Sequence, residues 1–363
     1  MHGSLSGEAF EGGEIIPPCR ETLMLLAYCG ILEFVSSRCG VLNSFYYGRR
    51  KAVMGSVSYL ASPSATRAVL ERHGLATKKA LGQNFLVNDA VIAKICELSE
   101  VSEQDTVLEV GPGIGTLTVA LLPRAARVLS VERDTDLPAV LSETCADFDT
   151  FSLLSKDALE LTQSDLEEAF GDEARLGVAP NKFVANLPYA VAATLVLDYF
   201  QRFKSIQSAT VMVQSEVADR MMAKIGTKDY AAYTVKLNLI AKATGRFQVS
   251  PGNFFPPPRV TSAVIRLDRR DDLGISDCEI AAASLMADAA FATRRKTIAN
   301  SMKTFFSGRK SAAGVVELLP GFLERADIDS RRRGESLTLD EFIELGRVFL
   351  ACAPECCEAY LKR

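Results

Sequence analysis

The residues best suited to chemistry stand together in the run Asn186-Leu187-Pro188-Tyr189. Asn186 brings a side-chain amide oxygen and Leu187 a backbone carbonyl, so acceptors sit on neighbouring residues. Pro188 restricts the residue before it to extended geometry, which fixes the Leu187 carbonyl. Such a pair suits methyl transfer to an exocyclic adenine amine. The lone pair of that amine is delocalised into the ring, so the nitrogen is a poor nucleophile. Acceptors that take its hydrogens draw the nitrogen towards tetrahedral geometry and free the lone pair. They also stabilise the positive charge that develops in the transition state. No strong base is required. Tyr189 supplies a ring on which a base turned out of its helix can stack. A plain strand-to-helix turn also favours Asn and Pro, so the surroundings of the run decide between the two.

A glycine loop lies upstream. Gly111, Gly113 and Gly115 follow an apolar strand and open a helix. Without side chains, they let the backbone approach a ligand closely. A dinucleotide fingerprint would place a glycine where this chain has Thr116, so a different nucleoside cofactor fits better. Glu132 lies 21 residues after Gly111. It ends the next strand, where a carboxylate accepts from ribose hydroxyls. Asp157 ends the strand after that. It either accepts from the exocyclic amine of the cofactor's adenine or caps a helix.

These residues need a scaffold that brings strand ends together. Thr106–Val110 runs into the glycine loop, and 128–131, 151–154, 182–185 and 208–213 are further short apolar strands. Helical segments separate them. The alternation predicts an α/β fold, a doubly wound and mostly parallel sheet with helices on both faces. Ligands bind such sheets at the carboxyl ends of the strands, where Glu132, Asp157 and Asn186 fall. A helix is expected to open near Pro63 with Ser64 as its cap, and residues 89–98 have helical spacing. Residues 247–249 and 261–267 read as strands around the turn Phe255-Pro256-Pro257-Pro258-Arg259. After Asp271 the pattern is wholly helical. The expected division is an extension over 1–53, a catalytic domain over 54–271 and a small helical RNA-binding domain over 272–363.

Residues 63 to about 350 resemble the KsgA/Dim family of ribosomal RNA adenine dimethyltransferases. The matching stretches are Leu81-Gly82-Gln83-Asn84-Phe85-Leu86, Glu109-Val110-Gly111-Pro112-Gly113-Ile114-Gly115, Asn186-Leu187-Pro188-Tyr189, Phe255-Pro256-Pro257-Pro258-Arg259-Val260, Ser262-Ala263-Val264 and Arg294-Arg295-Lys296-Thr297-Ile298. The resemblance implies a class I, Rossmann-like methyltransferase with a small C-terminal all-helical domain. It implies S-adenosylmethionine as cofactor, contacted by Asn84, Leu86, Gly111, Glu132, Asp157 and Asn186, with Gly113 in the same loop. The implied substrate is a pair of adjacent adenosines in the last hairpin loop of small-subunit (16S) ribosomal RNA, each receiving two methyl groups. A related large-subunit (23S) class, which confers macrolide resistance, shares the catalytic run. The stretch from Arg294 to Ile298 and the setting of Gly82-Gln83-Asn84 favour the small-subunit enzyme. An assembly factor whose RNA binding outweighs catalysis is the other alternative, and the intact run from Asn186 to Tyr189 speaks for catalysis. The chain departs from the family after Tyr189. Ala190-Val191-Ala192 replaces a polar Asn-Ile-Ser-like triplet, which alters the pocket lining but not the acceptors.

Net charge is −4, so attraction to RNA must come from clustering rather than from the total. Between 289 and 316 the chain carries Arg294, Arg295, Lys296, Lys303, Arg309 and Lys310 and no acidic residue. Arg331, Arg332 and Arg333 add a second cluster, and Lys78 and Lys79 precede the Asn84 stretch. Arg294, Arg295, Lys296, Lys303, Arg331 and Arg332 are the candidate phosphate contacts. Nine cysteines are scattered without a C-x-x-C pair, and only His2 and His73 are histidines. No metal is expected. The apolar stretch 22–35 is interrupted by Glu33 and is too short to span a bilayer. Acidic Glu8, Glu11 and Glu14 precede it where a signal peptide would be basic. The extension is expected to be poorly ordered, or to precede a true start at Met54. A monomeric cytoplasmic protein acting on immature 30S subunits is the resulting expectation.

Overall fold

Strands that are apolar along their whole length must be covered on both faces, and the chain supplies a helix after nearly every one. The computed structural model describes residues 56–78, 82–171, 174, 177–307 and 314–353. The extension over 1–53, Lys79, Arg309, Lys310, Cys356 and Cys357 lie outside the described residues.

The first helix is α1 (Pro63–Arg72), capped by the Ser62 hydroxyl, which accepts from the Ala65 amide at 3.1 Å. The cap is not Ser64, because Pro63 occupies the first helical position, where a missing amide proton costs nothing. A short strand β1 (Phe85–Leu86) leads to α2 (Asp89–Ser99), capped by Asn88. The alternation follows as β2 (Thr106–Val110), α3 (Thr118–Leu121), β3 (Arg127–Glu132), α4 (Leu137–Thr144), β4 (Phe151–Ser155), α5 (Gln163–Phe170), β5 (Lys182–Asn186), α6 (Ala192–Arg202) and β6 (Ser208–Gln214). Next come α7 (Ser215–Met221), α8 (Ala232–Asn238), β7 (Ala241–Val249), β8 (Phe254–Phe255) and β9 (Ser262–Arg269). The helices α9 (Asp277–Phe291), α10 (Ile298–Ser307), α11 (Val315–Arg325) and α12 (Leu339–Cys352) complete the fold.

Seven strands form one sheet in the order β4-β3-β2-β5-β6-β9-β7, while β1 pairs with β8 apart from it. The run from β4 to β6 is parallel, and β9 is antiparallel to both β6 and β7. From β2 the chain moves outward through β3 and β4, then returns to β5 on the other side of β2. That reversal opens a crevice above β2 and β5, where ligands of doubly wound sheets bind. The glycine loop leaves β2, and Asn186 is the last residue of β5. Because β9 runs backwards, its first residue, Ser262, pairs with Gln214 at the end of β6. The crevice edge thus gains a residue from a strand distant in sequence.

The helix behind the catalytic run is held firmly. On α6, Leu195, Val196, Tyr199 and Phe200 are buried. The Tyr199 ring lies 5.0 Å from those of Phe183 and Phe203, and its hydroxyl donates to the Ala158 carbonyl at 2.8 Å. Each such aromatic contributes about 1.5–3 kcal/mol by burial. The apolar core continues without a break from Phe183 and Val211 in the sheet to Phe342 and Phe349 in α12. On α12, Gly346 allows close packing on α9, since a Cβ there would fall 2.7 Å from the Ala283 nitrogen. Among the described residues no helix is long and apolar enough to cross a membrane.

Candidate active site

A cavity of about 610 Å³ occupies the crevice at the strand ends. Its floor is the glycine loop, where Gly111, Gly113 and Gly115 have φ of +67°, +60° and +87°. L side chains rarely adopt these values. At Gly113 a Cβ would also come within 3.0 Å of the Phe85 ring and push β1 away from the cavity. Glu132 is buried beside this floor. Its Oε1 accepts from the Asp134 amide at 2.8 Å and its Oε2 from the Gly113 amide at 3.4 Å. Burial raises the pKa of the carboxyl, and these amides oppose the rise. Glu132 therefore shapes the loop as well as lining the cavity. A positive-φ loop, a buried carboxylate and this volume fit a nucleoside joined to an amino acid, as S-adenosylmethionine is.

Asp134 was not singled out by sequence, yet it ties the upstream segment to the cavity. Lys78 Nζ lies 2.5 Å from an Asp134 oxygen and 2.5 Å from one of Asp136. Gln83 Nε2 donates to the other Asp134 oxygen at 2.7 Å. Lys78 is thus engaged by carboxylates of its own chain. The clasp seats Asn84, whose carbonyl accepts from Asn186 Nδ2 at 3.3 Å. Leu86, buried in β1, lines the cavity wall. Asp157 Oδ1 accepts from the Leu159 amide at 3.0 Å, and Oδ2 lies 3.1 Å from Arg133 Nη1. It caps a short turn and lines the cavity at once.

Glu109 is a further residue that spacing did not assign. It lies in β2 immediately before the loop and is 1% exposed. Oε2 accepts from the Thr118 and Ser130 hydroxyls, each at 2.7 Å. Burial pushes its pKa up to about 7, and the hydroxyls only partly oppose this. A charge inside an otherwise apolar strand was the available signal.

Asn186 is half-buried with its amide nitrogen committed to Asn84. No described residue donates to Asn186 Oδ1 or to the Leu187 carbonyl, while the Leu187 amide donates to the Met212 carbonyl at 3.2 Å. The sheet therefore holds Leu187 by its nitrogen and leaves its oxygen free. Pro188 and Tyr189 also line the cavity, and a turn closes as the Val191 amide donates to the Pro188 carbonyl at 3.2 Å. The Tyr189 hydroxyl, given no part by sequence, lies 2.6 Å from Ser262 Oγ. Burial raises the Tyr189 pKa, and the Ser262 contact opposes it. Ala190 and Val191 line the cavity, and α6 starts without a side-chain cap.

The candidate RNA residues divide into two sets. Arg294 Nε lies 3.1 Å from Glu335, and its Nη2 donates to the Thr227 carbonyl at 3.1 Å. Arg331 Nη2 lies 2.9 Å from Asp329, and Arg332 Nη2 lies 3.0 Å from Glu341. Arg295, Lys296 and Lys303 are exposed and form no ion pair among the described residues. An acid-free stretch is not acid-free in space, since Glu335 reaches Arg294 from another element. The Arg294 contact also brings the loop after α7 alongside, with exposed Lys224 and Lys228 flanking Thr227.

A doubly wound sheet with this crevice, loop and acceptor run defines an S-adenosylmethionine-dependent methyltransferase of class I. The family model for ribosomal RNA adenine dimethylase matches residues 74–344. The chain is 36% identical over 286 residues to ribosomal RNA small subunit methyltransferase A of Geobacillus sp. (strain WCH70), covering 79% of this chain and 96% of that protein. It is 36% identical over 287 residues to the protein of that name in Staphylococcus aureus (strain Newman), covering 79% and 94%. Among solved structures, a dimethyladenosine transferase from Plasmodium falciparum superposes with a TM-score of 0.61 at 22% identity, covering 74% of this chain and 98% of that one. The 23S rRNA methyltransferase ErmE gives 0.53 at 23%, covering 73% and 99%. These two show the fold alone. The chain belongs to the ribosomal RNA adenine dimethylase family.

Proposed function

We propose that the chain places two methyl groups on N6 of each of two adjacent adenosines in the 3′-terminal hairpin loop of 16S ribosomal RNA. The observation that carries this is the crevice edge, where Asn186 Oδ1 and the Leu187 carbonyl receive no donor from the described residues and stand beside the glycine-loop cavity. S-adenosylmethionine bound there supplies an electrophilic methyl carbon. Asn84 holds the Asn186 amide so that its oxygen serves as acceptor. Together with the Leu187 carbonyl it accepts hydrogen bonds from the N–H groups of the target amine. Holding amine and methyl carbon in line provides much of the acceleration. Tyr189 stacks on the turned-out base. Asn84, Leu86, Gly111, Gly113, Glu132 and Asp157 line the cofactor's place.

Residues 272–363 carry the RNA-binding role in this reading, acting on immature 30S subunits as a cytoplasmic monomer. Lys296 and Lys303, with Asn300, Thr304 and Ser307, line a groove of about 540 Å³ on one side of α10. The hydroxyls of Thr304 and Ser307 donate to the Asn300 and Lys303 carbonyls, so the donors offered to the phosphates of an RNA strand are Lys296, Asn300 and Lys303. Arg295 flanks it, and Lys224 and Lys228 extend the surface across the sheet's half of the molecule. Arg294 and Arg332 serve instead to hold local structure, while Arg331, largely exposed and paired with Asp329 two residues away, remains a phosphate contact in this reading. The names of the 36% identical relatives favour the small subunit over the large one.

The test is methyl transfer to immature small subunits and, separately, to immature large subunits, with the modified positions mapped by mass. Dimethyladenine at adjacent positions of 16S RNA is the expected product. Modification confined to the large subunit would overturn the reading.

A further inference from the structure

We propose that Ser262 is a positioning residue whose hydroxyl fixes the Tyr189 ring at the base-binding edge of the crevice. The proposal rests on the reading of Tyr189 as the stacking platform. Ser262 Oγ and the Tyr189 hydroxyl lie 2.6 Å apart. Ser262 is fully buried at 0% exposure, and among the described residues neither hydroxyl has another partner. The Ser262 hydroxyl, removed from water, therefore depends on Tyr189 for its partner.

The ends of this contact differ in rigidity. Ser262 is flanked on both sides by strands, paired with Gln214 of β6 and Val249 of β7. Its backbone is a fixed point of the sheet. Tyr189 lies in the turn between β5 and α6, followed by Ala190, Val191 and Ala192, which bring no polar side chain. A tyrosine hydroxyl lies on the axis through Cβ and the ring. One hydrogen bond at that tip fixes where the axis points, and with it the place of the ring at the crevice edge. Phenylalanine would keep the stacking area and lose the fixed direction. The antiparallel run of β9 makes the contact, because only a strand that starts at this edge can offer its first residue there.

A base stacked on a ring that swings is in line with the methyl group for less of the time. Affinity for the RNA is set largely by phosphate contacts and should change little. Ser262→Ala and Tyr189→Phe are each expected to lower kcat by roughly 3–10-fold, the worth of one hydrogen bond, with KM for immature small subunits nearly unchanged. Monomethyladenine should accumulate, as the second transfer has one fewer N–H to hold the amine. The double variant should be no slower than either single one, since both remove the same hydrogen bond. Tyr189→Ala should be slower than all of these.

The measurements are single-turnover methyl transfer with mono- and dimethyladenine resolved, and calorimetric affinity for S-adenosylmethionine, which should equal wild type. Losses that multiply in the double variant would show that the hydroxyls act independently and would overturn the proposal. So would a wild-type rate for Ser262→Ala alongside an impaired Tyr189→Ala, which leaves the stacking reading standing. A wild-type rate for Tyr189→Ala would remove the stacking reading itself. If Ser262→Ala fails to fold, Tyr189→Phe reads the same hydrogen bond from its less buried end, and a wild-type rate there would overturn the proposal.

Discussion

The crevice and the cationic face of the C-terminal helices are built on opposite rules. In the crevice, function comes from groups fixed by backbone: a carbonyl held by Pro188 and by the Leu187 amide, and a loop held by glycine dihedrals. On the cationic face, the proposed phosphate binding falls to side chains that no carboxylate among the described residues holds. A cation that has found a carboxylate, as Arg332 has found Glu341, is part of the fold. One that has found none among the described residues, such as Lys303, is the proposed phosphate contact. A motif therefore reports a site whose geometry is local, while a charge run reports only a supply of charge.

The comparison breaks most sharply at Asn186. Asn186→Ala removes an acceptor for the target amine and should lower turnover by about 10²–10³. The second methylation should be at least as sensitive as the first. Methyl transfer at saturating RNA and cofactor, with both products resolved, measures this. A wild-type rate would mean that the acceptors do not act as described.

A smaller effect is expected at Glu132. Glu132→Ala should weaken S-adenosylmethionine binding by about 1.5–3 kcal/mol, the range for hydrogen bonds to a charged group. Glu132→Gln should lose less, because its oxygen can still accept from an amide of the loop. Calorimetry on both variants separates the ribose contact from the shaping of the loop. Equal affinity for wild type and Glu132→Ala would remove the ribose assignment.

On the cationic face, replacing Arg295, Lys296 and Lys303 together by Gln should flatten the salt dependence of RNA binding, by close to one counterion for each phosphate that is no longer neutralised. Cofactor affinity should be unaltered. Arg332→Ala should do the reverse, leaving the salt slope alone while costing roughly 0.5–1.5 kcal/mol of stability through the hydrogen bonds it removes. Equal slopes for the triple variant and wild type would show that the division into free and paired cations is wrong.

A pH dependence of stability is expected at Glu109. Burial raises its pKa from 4.5 to about 7, so the folded protein holds this proton more tightly than the unfolded chain does. Stability from the group is complete below 4.5 and is lost as pH rises towards about 7. Glu109→Gln keeps an acceptor for Thr118 and Ser130 without a titrating proton. Its melting temperature should gain on wild type as pH rises through that window. A constant difference across the window would show that Glu109 does not titrate there.

Much of this protein was legible in its residues. Short apolar strands alternating with helices dictate a parallel sheet, because such strands must be covered on both faces. Gly111 and Gly113 dictate a tight loop, because other residues rarely take those dihedrals. Asn186 and Pro188 dictate an acceptor pair, because the restriction on Leu187 acts between neighbours. Each is local, fixed within a few residues by sterics. Tertiary structure alone decided the rest. It gave Asp134 to Lys78, Glu335 to Arg294 and Ser262 to Tyr189, partners between 41 and 73 positions apart. It also buried Glu109 beneath the loop. Contacts between side chains depend on which elements the sheet order brings together, and no local preference of the chain encodes that order.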